Sequence, residues 1–181
     1  MKRIKQTGLD QVGGKAYHLL KMQAAGLPVP DFAVFAFDFF QKSASSADLE
    51  RMEAAYRSRE LDLSQLSQQL QNWAKEQFAQ EDLTAAENWI RQELSQTDCR
   101  FAVRSSATIE DGKASSFAGQ FESQLNVKPE GLKEAIQATL LSLYQESALS
   151  YLFEQGLSLK QAQMICIVQV MQEGDLSGIY F

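Results

Sequence analysis

The spacing of apolar residues changes repeatedly along this chain, and each change marks an element. In KAYHLLKMQAAG, Leu19, Leu20 and Met22 form a stripe at helical spacing behind Gly13-Gly14-Lys15. Gly26 is a suitable stop for that helix, and Pro28 and Pro30 prevent its continuation. VPDFAVFAF, Val29 to Phe37, reads as a short buried strand, and Asp38 with Gln41 as the cap of a further helix, FFQKSA. From Ser45 to Thr97 the pattern is helical and polar. Ser45 with Asp48, Asp62 with Gln65 and Thr84 with Glu87 have capping-box spacing, predicting three helices near 47–59, 63–80 and 85–96. Leu63, Leu66, Leu70, Trp73 and Phe78 supply their inner face.

A second change of period comes at Phe101. FAVRSSATIEDGKASSFAGQFESQLN starts as an apolar strand that delivers Arg104, passes through small hydroxyl and glycine residues, and ends in a second alternating strand at Asn126. Pro129 and Glu130 then suit the first turn of a long helix reaching about Phe153, with Leu132, Ile136, Leu140, Leu143 and Tyr144 at three- and four-residue steps. Gly156 ends it. QAQMICIVQVMQ is nearly continuous in apolar residues, which predicts a strand central in a sheet. Glu173-Gly174-Asp175 reads as a turn and SGIYF as the start of another strand. The order predicts an α+β or mixed α/β fold with an antiparallel-rich sheet and a helical insertion at about 45–97. A chain that stops inside a strand on Tyr180-Phe181 is expected to be an engineered fragment.

Composition narrows the function classes. The chain has 181 residues, which suits one domain or two small lobes, and 45% apolar residues, enough for a real core. A net charge of −6 without a basic tract argues against nucleic acid. No apolar region succeeds the charged start MKRIKQTGLD, and no run approaches the length of a membrane span. Cys99 and Cys166 lie in apolar runs with no metal-ligand pattern, suggesting buried, reduced thiols and a cytoplasmic address.

Two stretches carry candidate chemistry. Arg104 is a permanent planar cation held by a strand, and Ser105, Ser106, Thr108, Ser115, Ser116 and Gly119 after it offer hydroxyls and approachable backbone N–H groups. That combination suits a polyphosphate; the plainer reading is a hairpin with a long polar loop. The glycine pair before Lys15 leaves N–H groups free at a helix start beside a cation, which is an anion site in principle and an ordinary glycine-started helix otherwise. It is not a Walker A loop, because Gly8 is one residue out of register and Ala16 stands where Ser or Thr should come after the lysine. Trp73 and Trp89 read as packing residues.

VGGKAYHLLKMQAAGLPVPDFAVF, FAVRSSATIEDGKASSFAGQFESQLNV and ICIVQVMQEGDLSGIYF together resemble the N-terminal nucleotide-binding region of the pyruvate phosphate dikinase and phosphoenolpyruvate synthase superfamily. Rifampicin phosphotransferases and glucan water dikinases share that region. The middle motif, VRSSATxED and then SFAGQ, is the most specific of the three. The resemblance implies the first lobe of an ATP-grasp-like domain. It implies that Lys15 and Arg104, with Gly14 at the helix start, hold ATP phosphates. Thr108 and the segment with Ser115, Ser116, Gly119 and Gln120 would close over them, and Gln169, Val170 and Met171 would line the adenine pocket. In this family ATP phosphorylates a histidine on a separate domain of the same chain, which passes the group to pyruvate, an antibiotic or a glucan.

The chain also departs from the family pattern. The second lobe, with the residues expected to hold Mg²⁺ and its Gln-x-Arg-Pro segment, has no counterpart here, nor do the phosphohistidine and acceptor domains. Glu110 and Asp111 lie in the lid stretch and read as hinge or cap residues before they read as metal ligands. Gly112 stands where the family often has leucine. Gly13-Gly14 with His18 imitates the spacing of the carrier histidine. The continuation LLKMQAAGLPVP is unlike the carrier motif, so His18 reads as a partly buried helix residue. The chain by itself is expected to be inactive. The competing reading is a non-catalytic module that binds a nucleotide or a protein partner.

Overall fold

A computed structural model describes residues 1–4, 9–93, 99–109 and 121–172 of the chain. Its strands are β1 (Lys2–Ile4), β2 (Phe32–Ala36), β3 (Phe101–Ala107), β4 (Gln124–Val127) and β5 (Met164–Val170). They form one antiparallel sheet in the order β1-β2-β5-β3-β4. The expected apolar strand is thus the middle one, paired Val34↔Ile167 on one side and Arg104↔Ile167 on the other. An α+β fold with an antiparallel sheet is what the sequence predicts.

Both faces of the sheet are covered, which is why β5 has so few polar positions. Side chains alternate between faces along a strand. Phe32, Val34, Ile165 and Ile167 point to one side, where Val12, Ala16 and Leu19 of α1 (Leu9–Ala24) pack on them. Phe35, Phe101, Val103, Cys166 and Val168 point to the other side, into a larger core.

That larger core takes in the described helices of the insertion. α2 (Ser43–Arg57), α3 (Leu63–Ala79) and α4 (Thr84–Glu93) contribute Leu49, Leu66, Leu70, Trp73, Phe78 and Trp89. α5 (Leu132–Leu141) and α6 (Glu146–Glu154) contribute Ile136, Leu140, Leu149 and Leu152. Both tryptophans are packing residues, as expected: Trp89 meets Phe35 edge to face and Trp73 meets Tyr144 the same way. Among the described residues no helix is long and apolar enough to cross a membrane.

Several local expectations are corrected. Asp38 to Gln41 is a 3₁₀ turn, and α2 starts at Ser43. Phe37 and Phe39 are both buried, and positions two apart on an α-helix do not share a face. Ser45 lies buried inside α2 and caps nothing, while Asp48 pairs with Arg51 at 2.9 Å. The Asp62–Gln65 capping box is present. At α4, Asp82 takes the capping role, accepting from both the N–H and the hydroxyl of Thr84. These bonds hold the Asp82 carboxyl below its ordinary value, the Thr84 hydroxyl foremost.

The single helix expected from Pro129 to Phe153 is broken. After α5 the chain makes a 3₁₀ turn at Ser142–Tyr144, Gln145 is extended, and α6 comes next. Ser142 donates to the Thr139 carbonyl at 2.7 Å, and the Tyr144 carbonyl accepts from Ser67 of α3 at 2.7 Å. The break lets Leu143 and Tyr144 be buried together against α3 instead of running past it. Cys166 is buried as expected, whereas Cys99 is half-buried and lies before β3 begins. The turn at 173–175 and the strand expected after it lie outside the described residues.

Candidate functional site

The alternation of β3 decides what faces what. Phe101, Val103 and Ala107 enter the large core, so Ala102, Arg104 and Ser106 project to the α1 side. The strand does not end at Arg104, as the sequence suggests, but runs on through Ala107. Ser105 and Ser106 are therefore buried strand residues and not loop donors.

Gln169 of β5 is in phase with Ile165 and Ile167, hence on the same side as Arg104. Nη1 of Arg104 donates to Oε1 of Gln169 at 3.4 Å, a long bond between two half-buried side chains.

α1 reaches this face through a break. Gly13 has φ 69° and ψ 166°, outside any helix, so the helical segment bearing Lys15 starts just after it. A Cβ on Gly13 would lie 2.4 Å from the Ala107 carbonyl oxygen and 2.8 Å from Ser106 Oγ. Glycine is required there by both its dihedral angles and the contact. The Ser106 hydroxyl donates to the Val12 carbonyl at 2.7 Å and accepts from the Ala16 N–H at 3.2 Å. Gly14 is buried and Lys15 is half-buried between those two anchored residues.

The remaining expected site residues divide between the two ends of β3. Thr108 comes directly after its C-terminal end. Its N–H donates to Gln163 O at 3.0 Å, its hydroxyl donates to Gln161 O at 3.2 Å, and the hydroxyl accepts from the Gln163 N–H at 3.1 Å. Thr108 is thus tied to the turn ahead of β5. Val170 and Met171 lie at the other end, beside Phe101. Their N–H groups donate to Asp31 O and Arg100 O, each at 2.8 Å, so a base-reading donor there would compete with bonds already made. The Met171 sulfur also accepts from the Asn126 N–H at 3.1 Å. Ser115, Ser116, Gly119 and Gln120 lie outside the described residues, as do Glu110, Asp111 and Gly112.

His18 is exposed, not partly buried, and packs edge-on against Tyr17 with ring centroids 5.5 Å apart. Among the described residues no group of three His, Cys, Asp or Glu side chains could hold a metal ion. Sequence reasoning missed the bridging role of Ser106. Its phase was visible, since it stands two residues beyond Arg104, but its partners on α1 were not.

Comparison with known proteins bears on this arrangement. The family described as "Pyruvate phosphate dikinase, AMP/ATP-binding domain" matches residues 9–181. The chain is 33% identical over 190 residues to phosphoenolpyruvate synthase of Escherichia coli, covering 96% of this chain and 24% of that protein. It is 30% identical over 190 residues to rifampicin phosphotransferase of Streptomyces sviceus, covering 100% of this chain and 22% of that one. A probable phosphoenolpyruvate synthase of Methanocaldococcus jannaschii is 29% identical over 183 residues, covering 96% and 15%. The chain therefore spans a quarter or less of the length of these curated relatives.

Proposed function

The chain belongs to the pyruvate phosphate dikinase AMP/ATP-binding domain family, and from that premise we propose that it is the ATP-holding part of a dikinase-type phosphotransferase. Arg104 and Lys15 bind and neutralise the phosphates. Both stand on the α1 side of the sheet, one fixed by a strand and one by the start of a helix. Gly14 lets the backbone come close, and the segment from Ser115 to Gln120 closes over the phosphates. The base lies toward Gln169, Val170 and Met171. From Ala107 to Ala102 the site runs five residues along β3, or about 17 Å by strand rise, which separates a phosphate end from a base end.

In the full-length enzyme ATP phosphorylates a histidine of another domain, which then passes the group to an acceptor. This chain's residues supply charge neutralisation and positioning, the two contributions that dominate phosphoryl transfer. Mg²⁺, when bound, would supply further neutralisation of phosphate charge; among the described residues no group of three His, Cys, Asp or Glu side chains could hold it, and we assign its ligands to a second lobe. The acceptor is read as pyruvate, after the phosphoenolpyruvate synthases among the relatives. The similarity to a rifampicin phosphotransferase favours a second reading, with an antibiotic as acceptor.

The observation that carries this reading is the placement of Arg104, Gln169 and the start of the Lys15 segment on one face of the sheet. Calorimetric titration of the chain with ATP tests it. Weak binding that Arg104→Ala weakens further is expected; binding that is equally strong without Arg104 would overturn the assignment. By itself the chain should transfer no phosphoryl group, since half of the clamp is elsewhere.

A further inference from the structure

We propose that Ser106 is the positioning residue of this site: its hydroxyl sets the broken start of α1 against β3 and thereby fixes Lys15 relative to Arg104. The inference rests on the nucleotide reading above and adds to it a group that touches no phosphate.

The N–H and C=O groups around a helix break need partners, and buried ones need them most. Here one hydroxyl serves both arms of the break. It donates to the carbonyl of Val12, before Gly13, and accepts from the N–H of Ala16, in the first turn after it. In effect Ser106 is an N-cap supplied from another element. Val12, Ala16 and Ser106 are all 0% exposed, so water cannot take over either bond. Lys15 is bonded through the backbone to Ala16, and Arg104 is two residues before Ser106 on the same face of β3, about 7 Å by strand rise. Gly13, having no Cβ, lets the break come down onto the Ala107 carbonyl and brings both arms within reach of the hydroxyl. The hydroxyl is thus a polar link between the element carrying one cation and the element carrying the other.

A purely structural serine would lower stability without favouring any part of the ligand. A positioning serine acts through Lys15, so its loss should be felt by phosphates and not by the base. The experiment is a double-mutant cycle on the chain: Ser106→Ala, Lys15→Ala and the pair, titrated with ATP and with adenosine, each variant checked for folding by thermal melting. Ser106→Ala should weaken ATP about five- to tenfold, leave adenosine binding unchanged, and have no further effect once Lys15→Ala is present. Additive effects, or equal losses for ATP and adenosine, would overturn the positioning role. Ser106→Cys keeps the reach of the side chain with a poor donor; it should show a smaller loss of the same kind, and it serves if the alanine variant does not fold. Should the chain bind no ATP, both this inference and the nucleotide reading fall; should it bind ATP with Lys15→Ala or Ser106→Ala without effect, this inference alone falls.

Discussion

Arg104 and Gln169 meet across neighbouring strands, Nη1 donating to Oε1 at 3.4 Å, although they are not register partners: Arg104 is opposite Ile167, and Gln169 opposite Ala102. The contact is diagonal, possible because both side chains are long and on one face. It is also weak, so the guanidinium keeps most of its donors for a ligand. Arg104→Ala should weaken ATP binding by the worth of a charged hydrogen bond, about 1.5–3 kcal/mol. Arg104→Lys should recover little, because a point charge does not reproduce a planar fork. Gln169→Ala should change affinity much less than either. A lysine variant that binds like the original chain would show that only charge matters at this position.

Gly13→Ala should be among the most damaging single changes in α1. The backbone conformation there costs a side-chain-bearing residue about 1–3 kcal/mol, and the added methyl would meet the Ala107 carbonyl oxygen at 2.4 Å. Urea unfolding should register a loss at or above the top of that range, because the contact is with backbone and not with a flexible side chain. Gly26→Ala is the comparison. Gly26 also has a positive φ, 73°, but an added Cβ meets nothing within 4 Å, so its cost should be the smaller one. Equal losses at the two sites would contradict the close approach of α1 to β3.

Glu53 joins the helical insertion to the sheet. Its Oε1 accepts from Arg57 at 2.8 and 2.6 Å, and its Oε2 accepts from the buried N–H of Leu159 at 2.8 Å, in the turn ahead of β5. Arg57 is half-exposed, so that pair contributes little. The bond to Leu159 is the one whose loss leaves a buried donor unsatisfied. Glu53→Ala should therefore destabilise the fold by about 1–3 kcal/mol in chemical denaturation and leave ATP affinity unchanged. A change in affinity would mean that the insertion and the site are coupled.

Alkali should destabilise the fold in two stages. Burial pushes the Cys166 thiol and the Tyr144 phenol well above their ordinary values, so both stay protonated in the native state. The unfolded chain releases those protons at about pH 8.5 for a thiol and about pH 10 for a phenol. Above each value the unfolded state binds fewer protons than the native one, so stability falls as pH rises. The expected slope is about 1.4 kcal/mol per pH unit for each group, and it vanishes below about pH 7. Stability measured against pH for Cys166→Ala should lack the first stage and keep the second. An unchanged profile in that variant would show that another group is responsible.

Much of this protein was legible from its sequence because the responsible signals are local. The near-continuous run ICIVQV identified β5 as central. The Asp62–Gln65 spacing identified the start of α3, and Gly26 and Gly156 marked the ends of α1 and α6. The motifs that resemble the dikinase family pointed to Arg104 and Lys15. The errors came where tertiary packing overrode a local pattern. The helix expected across Ser142 to Gln145 is broken because Leu143 and Tyr144 are buried against α3, a partner that sequence periodicity does not name.

The sequence by itself determined the order of the main helices and strands and the phase of β3 and β5, because side-chain period and backbone propensity act over a few residues; it showed no sign of β1 and misread the turns at Asp38–Gln41 and Ser142–Tyr144. It therefore determined that Arg104 and Ser106 share a face. Only the tertiary structure decided what that face meets. The antiparallel pairing of β3 with β5 brings Gln169 to Arg104, and the seating of α1 brings Val12 and Ala16 to Ser106. Those partners lie 65 to 94 residues apart along the chain, and hydrogen bonds of that span depend on how the whole core closes.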